Sequence, residues 1–281
     1  MKTEIQLPVS QMCGIAEVSR AGYYRFLEPA EPCPEELKLR DAMHQVALER
    51  PCYGSRRMAK ELKARGWKVN RKHIQRLMRE DNLLCVAKRK FVFTTNSSHG
   101  WPVYPNLAGE MVLSGVNQLW IADITYIRLE EEFVYLAVIL DAYSRRVIGW
   151  HLDETLRDLL TIAALRMALA QRPVPPGLVH HSDRGVQYAS GDYTQLLKDH
   201  GITISMSRKG NPWDNAACES FMKTLKYEEV HRTEYRNLAD ARARIGEFLE
   251  GVYNDKRLHS SLQYLAPNEF ERRSAASQEA A

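Results

Sequence analysis

The sequence is poor in cysteine: five among 281 residues, namely Cys13, Cys33, Cys52, Cys85 and Cys218, with no Cys-x-x-Cys pair. That excludes a disulfide scaffold and a zinc knuckle as organising devices, and each cysteine is expected to be a small core residue. Long apolar runs are also missing. The longest, Phe133 to Leu140, ends at Asp141, far short of the ~18 residues of a membrane span. Met1-Lys2-Thr3-Glu4 does not lead into an apolar signal segment. A soluble cytoplasmic chain with no membrane partner is the expectation. What is present in ordinary amount is apolar residue, at 44%, which excludes disorder, collagen-like repeats and coiled-coil fibres as global descriptions.

The net charge of +4 conceals an asymmetry. Residues 1–100 carry 19 Lys+Arg against 11 Asp+Glu, and residues 101–281 carry 20 against 24. A basic first third joined to a slightly acidic remainder suggests a nucleic-acid module attached to something else, although a solvated basic surface would look the same.

Two helical modules are expected in that basic third. In residues 1–30, Ser10 and Ser19 are placed to cap short helices, with Gly14 and Ile15 in the turn between them. Pro29, Pro32 and Pro34 mark a boundary. The second module, residues 31–87, has an apolar stripe at Leu39, Met43, Val46 and Ala47, then a helix capped by Ser55 and ended by Gly66. Asn70 can cap a last helix, Arg71 to Asp81, with Ile74, Leu77 and Met78 inward. Its outer face is basic and polar, as major-groove reading requires. Candidate DNA contacts are Arg56, Arg57, Arg71, Lys72, Arg76 and Arg79, followed by Lys88, Arg89 and Lys90 in a linker over 88–115.

From about residue 116 to 272 the texture becomes α/β. Strands are predicted over Leu119–Ile127, Phe133–Asp141 and Arg145–Leu152. A helix capped by Thr155 and Asp158 follows, with Leu156, Leu159, Leu160, Ala163, Ala164 and Met167 on its apolar face. Then come a strand at Leu178–Ser182, a helix over Ser190–His200, a strand at Ile202–Met206 and a long helix from near Trp213 past Lys226. This order predicts a mixed five-stranded sheet flanked by helices. Residues 273–281 are expected to be a flexible tail.

Three carboxylates are poorly explained by packing. Asp123 lies mid-strand among apolar residues, where burial is costly without a cation. Asp183 follows the fourth strand, and Glu219 sits on the long helix. Each has a structural alternative: an edge-strand charge for Asp123, a turn former for Asp183, an i,i+4 partner of Lys223 for Glu219. Brought together, three carboxylates would need cations, and an all-oxygen set suits Mg²⁺ or Mn²⁺ better than zinc.

Asp183 and Glu219 are separated by 35 residues. With Tyr53-Gly-Ser-Arg-Arg57, Asp123-Ile-Thr-Tyr126, Asp141-Ala-Tyr-Ser-Arg145, His181-Ser-Asp-Arg-Gly-Val-Gln-Tyr188, Gly210-Asn-Pro-Trp-Asp-Asn215, Glu219-Ser-Phe221 and Arg257-x-His259, the chain resembles the DDE transposases of two-frame bacterial insertion sequences. The resemblance is to their second-frame, retroviral-integrase-like part. It implies an RNase H-like core in which Asp123, Asp183 and Glu219 hold two metal ions for DNA cleavage and strand transfer. It also implies terminal inverted repeats and target DNA as partners, a homo-oligomer on DNA, nucleoid association and a possible fusion to the upstream-frame protein. Lys223 and Lys226 are candidate phosphate ligands. Asn215 and His259 are given supportive, DNA-facing roles, and Trp213 is expected to pack under the helix start. His180 is read as a core or hydrogen-bonding residue, and His181 stays open.

Overall fold

A computed structural model describes residues 8–27, 34–81, 83, 102–130, 132–208 and 215–279. The chain forms two compact units, residues 1–86 and 87–281.

The first unit is all helix: α1 (Val9–Ile15), α2 (Arg20–Leu27), α3 (Pro34–Glu49), α4 (Ser55–Ala64) and α5 (Arg71–Glu80). Leu39, Met43 and Val46 of α3 are buried, as are Met58, Ala59 and Leu62 of α4 and Ile74, Leu77 and Met78 of α5. Gly66 follows α4 with φ +90°, the left-handed conformation that releases a chain from a helix. Asn70 Oδ1 accepts from Lys72 N at 2.8 Å and Ser19 Oγ from Gly22 N at 3.0 Å, as expected for caps. Two expected caps are not caps. Ser10 lies inside α1, which begins at Val9 after Pro8, and Ser55 is the first helical residue after Gly54. The first turn also lies later than expected: Gly14 and Ile15 are helical, and Glu17, at φ +52°, makes the reversal.

The second unit is built on a five-stranded sheet: β1 (Leu119–Arg128), β2 (Phe133–Asp141), β3 (Val147–Asp153), β4 (Val179–Ser182) and β5 (Thr203–Met206), in the order β3-β2-β1-β4-β5. The first three strands are antiparallel neighbours, and β4 and β5 run parallel to β1. This is the α/β, RNase H-like arrangement expected. β1 is central, so Asp123 is not an edge charge. Between the strands and after them come α6 (Asp158–Gln171), α7 (Val186–Ala189), α8 (Gly191–Asp199), α9 (Ala216–Leu225), α10 (Leu238–Glu247) and α11 (Pro267–Glu279). π-helical turns extend α9 over Lys226–Val230 and α10 over Phe248–Asn254.

Side chains alternate across a strand, so the sheet has two cores. Leu119 and Ile121 of β1 pack with Cys218, Phe221, Met222 and Leu225 of α9 and with Ile245, Phe248 and Tyr253. Trp120 and Ala122 face the other way, against Leu160, Ala164, Leu165 and Ala168 of α6 and Tyr188 and Tyr193. Asp123 continues the first set and therefore points to the α9 side.

The apolar face of α6 is rotated from the one expected. Leu160, Ile162, Ala164, Leu165 and Ala168 are buried, whereas Leu156 and Leu159 are 42% and 65% exposed. Thr155 does not cap the helix; it bonds Asp153 Oδ1 at 2.8 Å through its N–H. What sets the helix is Gly149 of β3. A Cβ there would lie 2.3 Å from the Ala164 carbonyl oxygen and 2.9 Å from Ala168 Cβ. Gly149→Ala should therefore force the sheet and α6 apart and cost about 3 kcal/mol. Thermal unfolding checks this, and an unchanged melting temperature would refute it.

The expected flexible tail is helical as far as Glu279. Glu271 of α11 accepts from Arg172 Nη2 at 2.5 and 2.8 Å, from Arg146 Nη1 at 3.0 Å and from Ser144 Oγ at 2.6 Å. Of the cysteines, Cys13 and Cys218 are buried and Cys52 partly so, and none of the three is in a disulfide. Cys33 and Cys85 lie outside the described residues.

Candidate active site

Asp123 is partly accessible to solvent yet crowded by protein. Its Oδ1 accepts from Ile124 N at 2.9 Å. Burial, then the charges of Asp183 and Glu219, push its carboxyl up to about 8, against the downward pull of Ile124 N–H and of Lys226. The structure thus brings the three carboxylates within electrostatic reach of one another.

Asp183 follows β4, whose parallel register with β1 pairs His181 with Ile121. That register carries Asp183 to the level of Asp123. Its Oδ1 accepts from Gly185 N at 2.9 Å, so it is a turn former as well. A Cβ on Gly185 would sit 2.9 Å from that same oxygen, which accounts for glycine there. Arg184 is drawn away to the carbonyl of Ser207 at 2.7 Å.

Glu219 stands in the first turn of α9, where the helix dipole favours a carboxylate. Its Oε2 meets Lys223 Nζ at 3.4 Å, an exposed pair that contributes only a few tenths of a kcal/mol. Asn215 precedes α9 and is buried; its Nδ2 donates to the Ala122 carbonyl at 3.4 Å, while its Oδ1 has no partner among the described residues. That ties the start of the Glu219 helix to the Asp123 strand. Trp213 lies outside the described residues, as do Lys88, Arg89 and Lys90.

The two candidate phosphate ligands Lys223 and Lys226 differ in exposure. Lys223 is exposed, but Lys226 is 8% exposed, with Nζ 4.4 Å from the Tyr126 ring centroid. Burial holds its pKa down and Asp123 opposes that shift. It is therefore a cation beside Asp123.

The donor set fits a hard divalent cation. Cys218 is fully buried, and burial together with the three carboxylates pushes its thiol well up, so it offers no thiolate. As they stand, no three His, Cys, Asp or Glu side chains among the described residues are gathered tightly enough to hold a metal ion. The acidic side chains instead make the local contacts given above. Histidine supplies no ligand here: His180 Nε2 bonds the Tyr193 hydroxyl at 2.9 Å, and His181 is fixed between Ser205 and Ser207 at 2.8 and 3.0 Å. Burial lowers the pKa of His180 to about 3.

This architecture meets its counterparts in known proteins. Residues 114–212 and 200–267 match families described as integrase core domain, and residues 34–91 match an HTH-like domain. An insertion element IS600 protein of 31 kDa from Shigella sonnei is 41% identical over 92% of this chain and 97% of its own length. The transposase InsF for insertion sequence IS3A of Escherichia coli is 36% identical over 98% of each chain. The chain belongs to the integrase-core transposases of bacterial insertion sequences. A chain of the simian T-cell lymphotropic virus intasome is 17% identical with a TM-score of 0.48, covering 82% of this chain and 74% of that one.

In this transposase, Arg56, Arg71, Lys72, Arg76 and Arg79 are exposed. Arg57 is half-buried, its guanidinium 5.6 Å from the Tyr53 ring centroid. Arg76 is engaged by Glu36 and Glu80 at 3.1 and 2.8 Å, so it is less available to phosphate than its position on α5 suggests. His259 does not face outward. It is 8% exposed, edge-on to Tyr253 at 4.9 Å, beside Arg257. The motif residues Arg257 and His259 form a buried cluster on the side of α9. Sequence reasoning passed over Tyr188, which is 2% exposed and packs with Trp120 and Ala122 on the α6 face of the sheet; its only signal was membership of the His181–Tyr188 block.

Proposed function

We propose that Asp123, Asp183 and Glu219 are the carboxylates with which this transposase holds two divalent ions, Mg²⁺ or Mn²⁺, for DNA cleavage and strand transfer at insertion-sequence ends. The observation that carries the reading is the parallel register of β1 and β4, which sets Asp183 level with Asp123 on the central strand; burial and the charges of Asp183 and Glu219 hold the Asp123 carboxyl well up. A packed domain gains nothing from such a cluster unless a cation completes it. When bound, the ions supply activation of water or a DNA 3′-hydroxyl and stabilisation of the leaving oxygen.

The chain's own residues do the rest. The central strand and the Asp183–Gly185 turn fix two carboxylates, and Glu219 reaches the site by giving up a weak exposed contact with Lys223. Lys226, held against Tyr126, is placed to neutralise a phosphate near Asp123. The exposed basic residues of α4 and α5, together with Lys88, Arg89 and Lys90 of the linker, bind terminal inverted repeats and position the element end. Residues 1–87 thus serve recognition, residues 88–115 connect, and residues 116–272 carry the chemistry in the cytoplasm, on the nucleoid. Cleaving and joining two ends calls for a homo-oligomer on DNA, and the upstream-frame protein, as a fusion, is a further candidate partner.

The test is incubation of the full chain with DNA carrying the element's terminal repeats and Mg²⁺. Nicks at the repeat termini and joined products on a target DNA are expected. Binding without nicking or joining would instead assign this chain the role of a DNA-binding regulator of the element.

A further inference from the structure

The outer face of α5 is divided. Ile74, Leu77 and Met78 fix its inward side, and at 3.6 residues per turn the other positions fall into two strips. Arg71, Lys72, Gln75 and Arg79 form one strip. Among the described residues their side chains make no hydrogen bond or ion pair. His73, Arg76 and Glu80 form the other strip, which lies against Glu36 and Arg40 of α3.

There Arg76 is caught in a closed ring of alternating charge. Its Nη2 donates to Glu36 Oε2 at 3.1 Å and its Nη1 to Glu80 Oε1 at 2.8 Å. Arg40 joins the same two acids, its Nη2 donating to Glu36 Oε1 at 3.0 Å and to Glu80 Oε2 at 2.5 Å. Arg40 also pairs with Asp81, and His73 Nε2 lies 3.4 Å from Glu36 Oε2. Arg40 holds the carboxyls of both Glu36 and Glu80 below their usual range, so both are charged at neutral pH. With histidine neutral, two cations meet three carboxylates, and this flank of a basic helix carries one net negative charge. Arg76 is 53% exposed, and exposed ion pairs contribute little to stability. What the ring chiefly changes is the charge that α5 presents. A free arginine gains affinity from any phosphate, whatever the sequence. One held between two acids does not.

We infer that Glu36 is a specificity-determining residue: by holding Arg76 against α3 it withholds that guanidinium from DNA phosphates and leaves reading to the strip of Arg71, Lys72, Gln75 and Arg79. The inference rests on the DNA-reading role proposed for α5. Discrimination improves when affinity for wrong sequences is removed, as well as when contacts to the right one are added. Gln75 and Arg79, one turn apart on the free strip, are of the types that pair with adenine and guanine edges. Glu36 touches no DNA; it acts through Arg76.

The experiment measures binding of the full chain to a duplex carrying the element's terminal repeat and to an unrelated duplex of equal length, each over a salt series. Wild type, Glu36→Gln, Arg76→Ala, the double variant and Arg79→Ala are compared, with thermal unfolding of each. Glu36→Gln keeps an acceptor for Arg76 and loses the charge. It is expected to bind the unrelated duplex about fivefold tighter at low salt, with a salt slope steeper by about one, while its preference for the repeat falls by a similar factor. In the Arg76→Ala background the same substitution should change neither slope nor preference, a dependence that a merely structural role for Glu36 would not produce. Arg79→Ala should bind the repeat about tenfold more weakly. If it does so while Glu36→Gln keeps the wild-type preference, or shifts it equally with Arg76 absent, the inference is overturned and the DNA-reading role of α5 stands. A Glu36→Gln variant that only melts earlier, with an unchanged slope, overturns it too. If Arg79→Ala binds like the wild type, or the wild type does not prefer the repeat, the DNA-reading role fails and the inference falls with it.

Discussion

Asp123→Asn is expected to abolish strand cleavage and transfer while making the metal-free protein more stable. The loss of activity should be on the order of 1,000-fold or more, equivalent to about 4 kcal/mol of transition-state stabilisation. The gain in stability follows from linkage. The carboxyl titrates at about 8 in the fold and near the usual ~3.9 when unfolded. A raised carboxyl pKa means that the folded state binds a proton the unfolded chain releases, so stability falls as pH rises from about 4 through 8. Asparagine carries no charge and can still accept from Ile124 N through Oδ1. The variant should match the wild type near pH 4 and exceed it by on the order of 2–4 kcal/mol at pH 8. Metal-free melts at the two pH values decide this; equal differences at both would mean that the carboxyl titrates normally.

Arg257→Ala is expected to damage the fold rather than DNA binding. The guanidinium is 6% exposed and grips Glu228 bidentately, Nη2 to Oε1 at 2.7 Å and Nε to Oε2 at 2.8 Å. It also lies 5.8 Å from the Tyr253 ring centroid. Removing one partner strands a buried carboxylate, which costs about 3–5 kcal/mol. For a unit of this size that lowers the melting temperature by roughly 8–15 °C. Replacing both partners, Arg257→Met with Glu228→Leu, should recover most of the loss, because a well-packed apolar pair is often as stable as a buried ion pair. A single variant that melts like the wild type but has lost DNA affinity would instead place Arg257 at the DNA.

The strands and their acids were legible because a sheet reports itself locally. A carboxylate in Leu119–Ile127 breaks an apolar pattern, and glycine next to Asp183 and Arg184 marks a turn. The face of α6 was not legible, since it is chosen by the empty space above Gly149, on another strand. Expected caps failed at Ser10, Ser55 and Thr155, where the hydroxyl could serve only if the helix began one or two residues away. The stretch after Lys226 resisted reading for a different reason. π-helical turns at 226–230 and 248–254 shift the apolar positions off a 3.6-residue repeat. The outward role expected for His259 failed because a motif records which residues occur together, and a buried ion-pair cluster is as good a reason for that as a DNA contact.

Glu271 gathers Arg172 from the end of α6, Arg146 from the start of β3 and Ser144 from the turn between two strands. One carboxylate of α11 thereby closes a circuit through residues 99 to 127 positions earlier. The second unit is consequently not finished when Glu219, its sheet or even its buried Arg257 cluster is in place. A nascent chain emerging residue by residue would hold an almost complete core with two uncompensated arginines until α11 arrives. α11 thus carries the carboxylate that these two arginines need, and a product truncated before it would lack that contribution to stability.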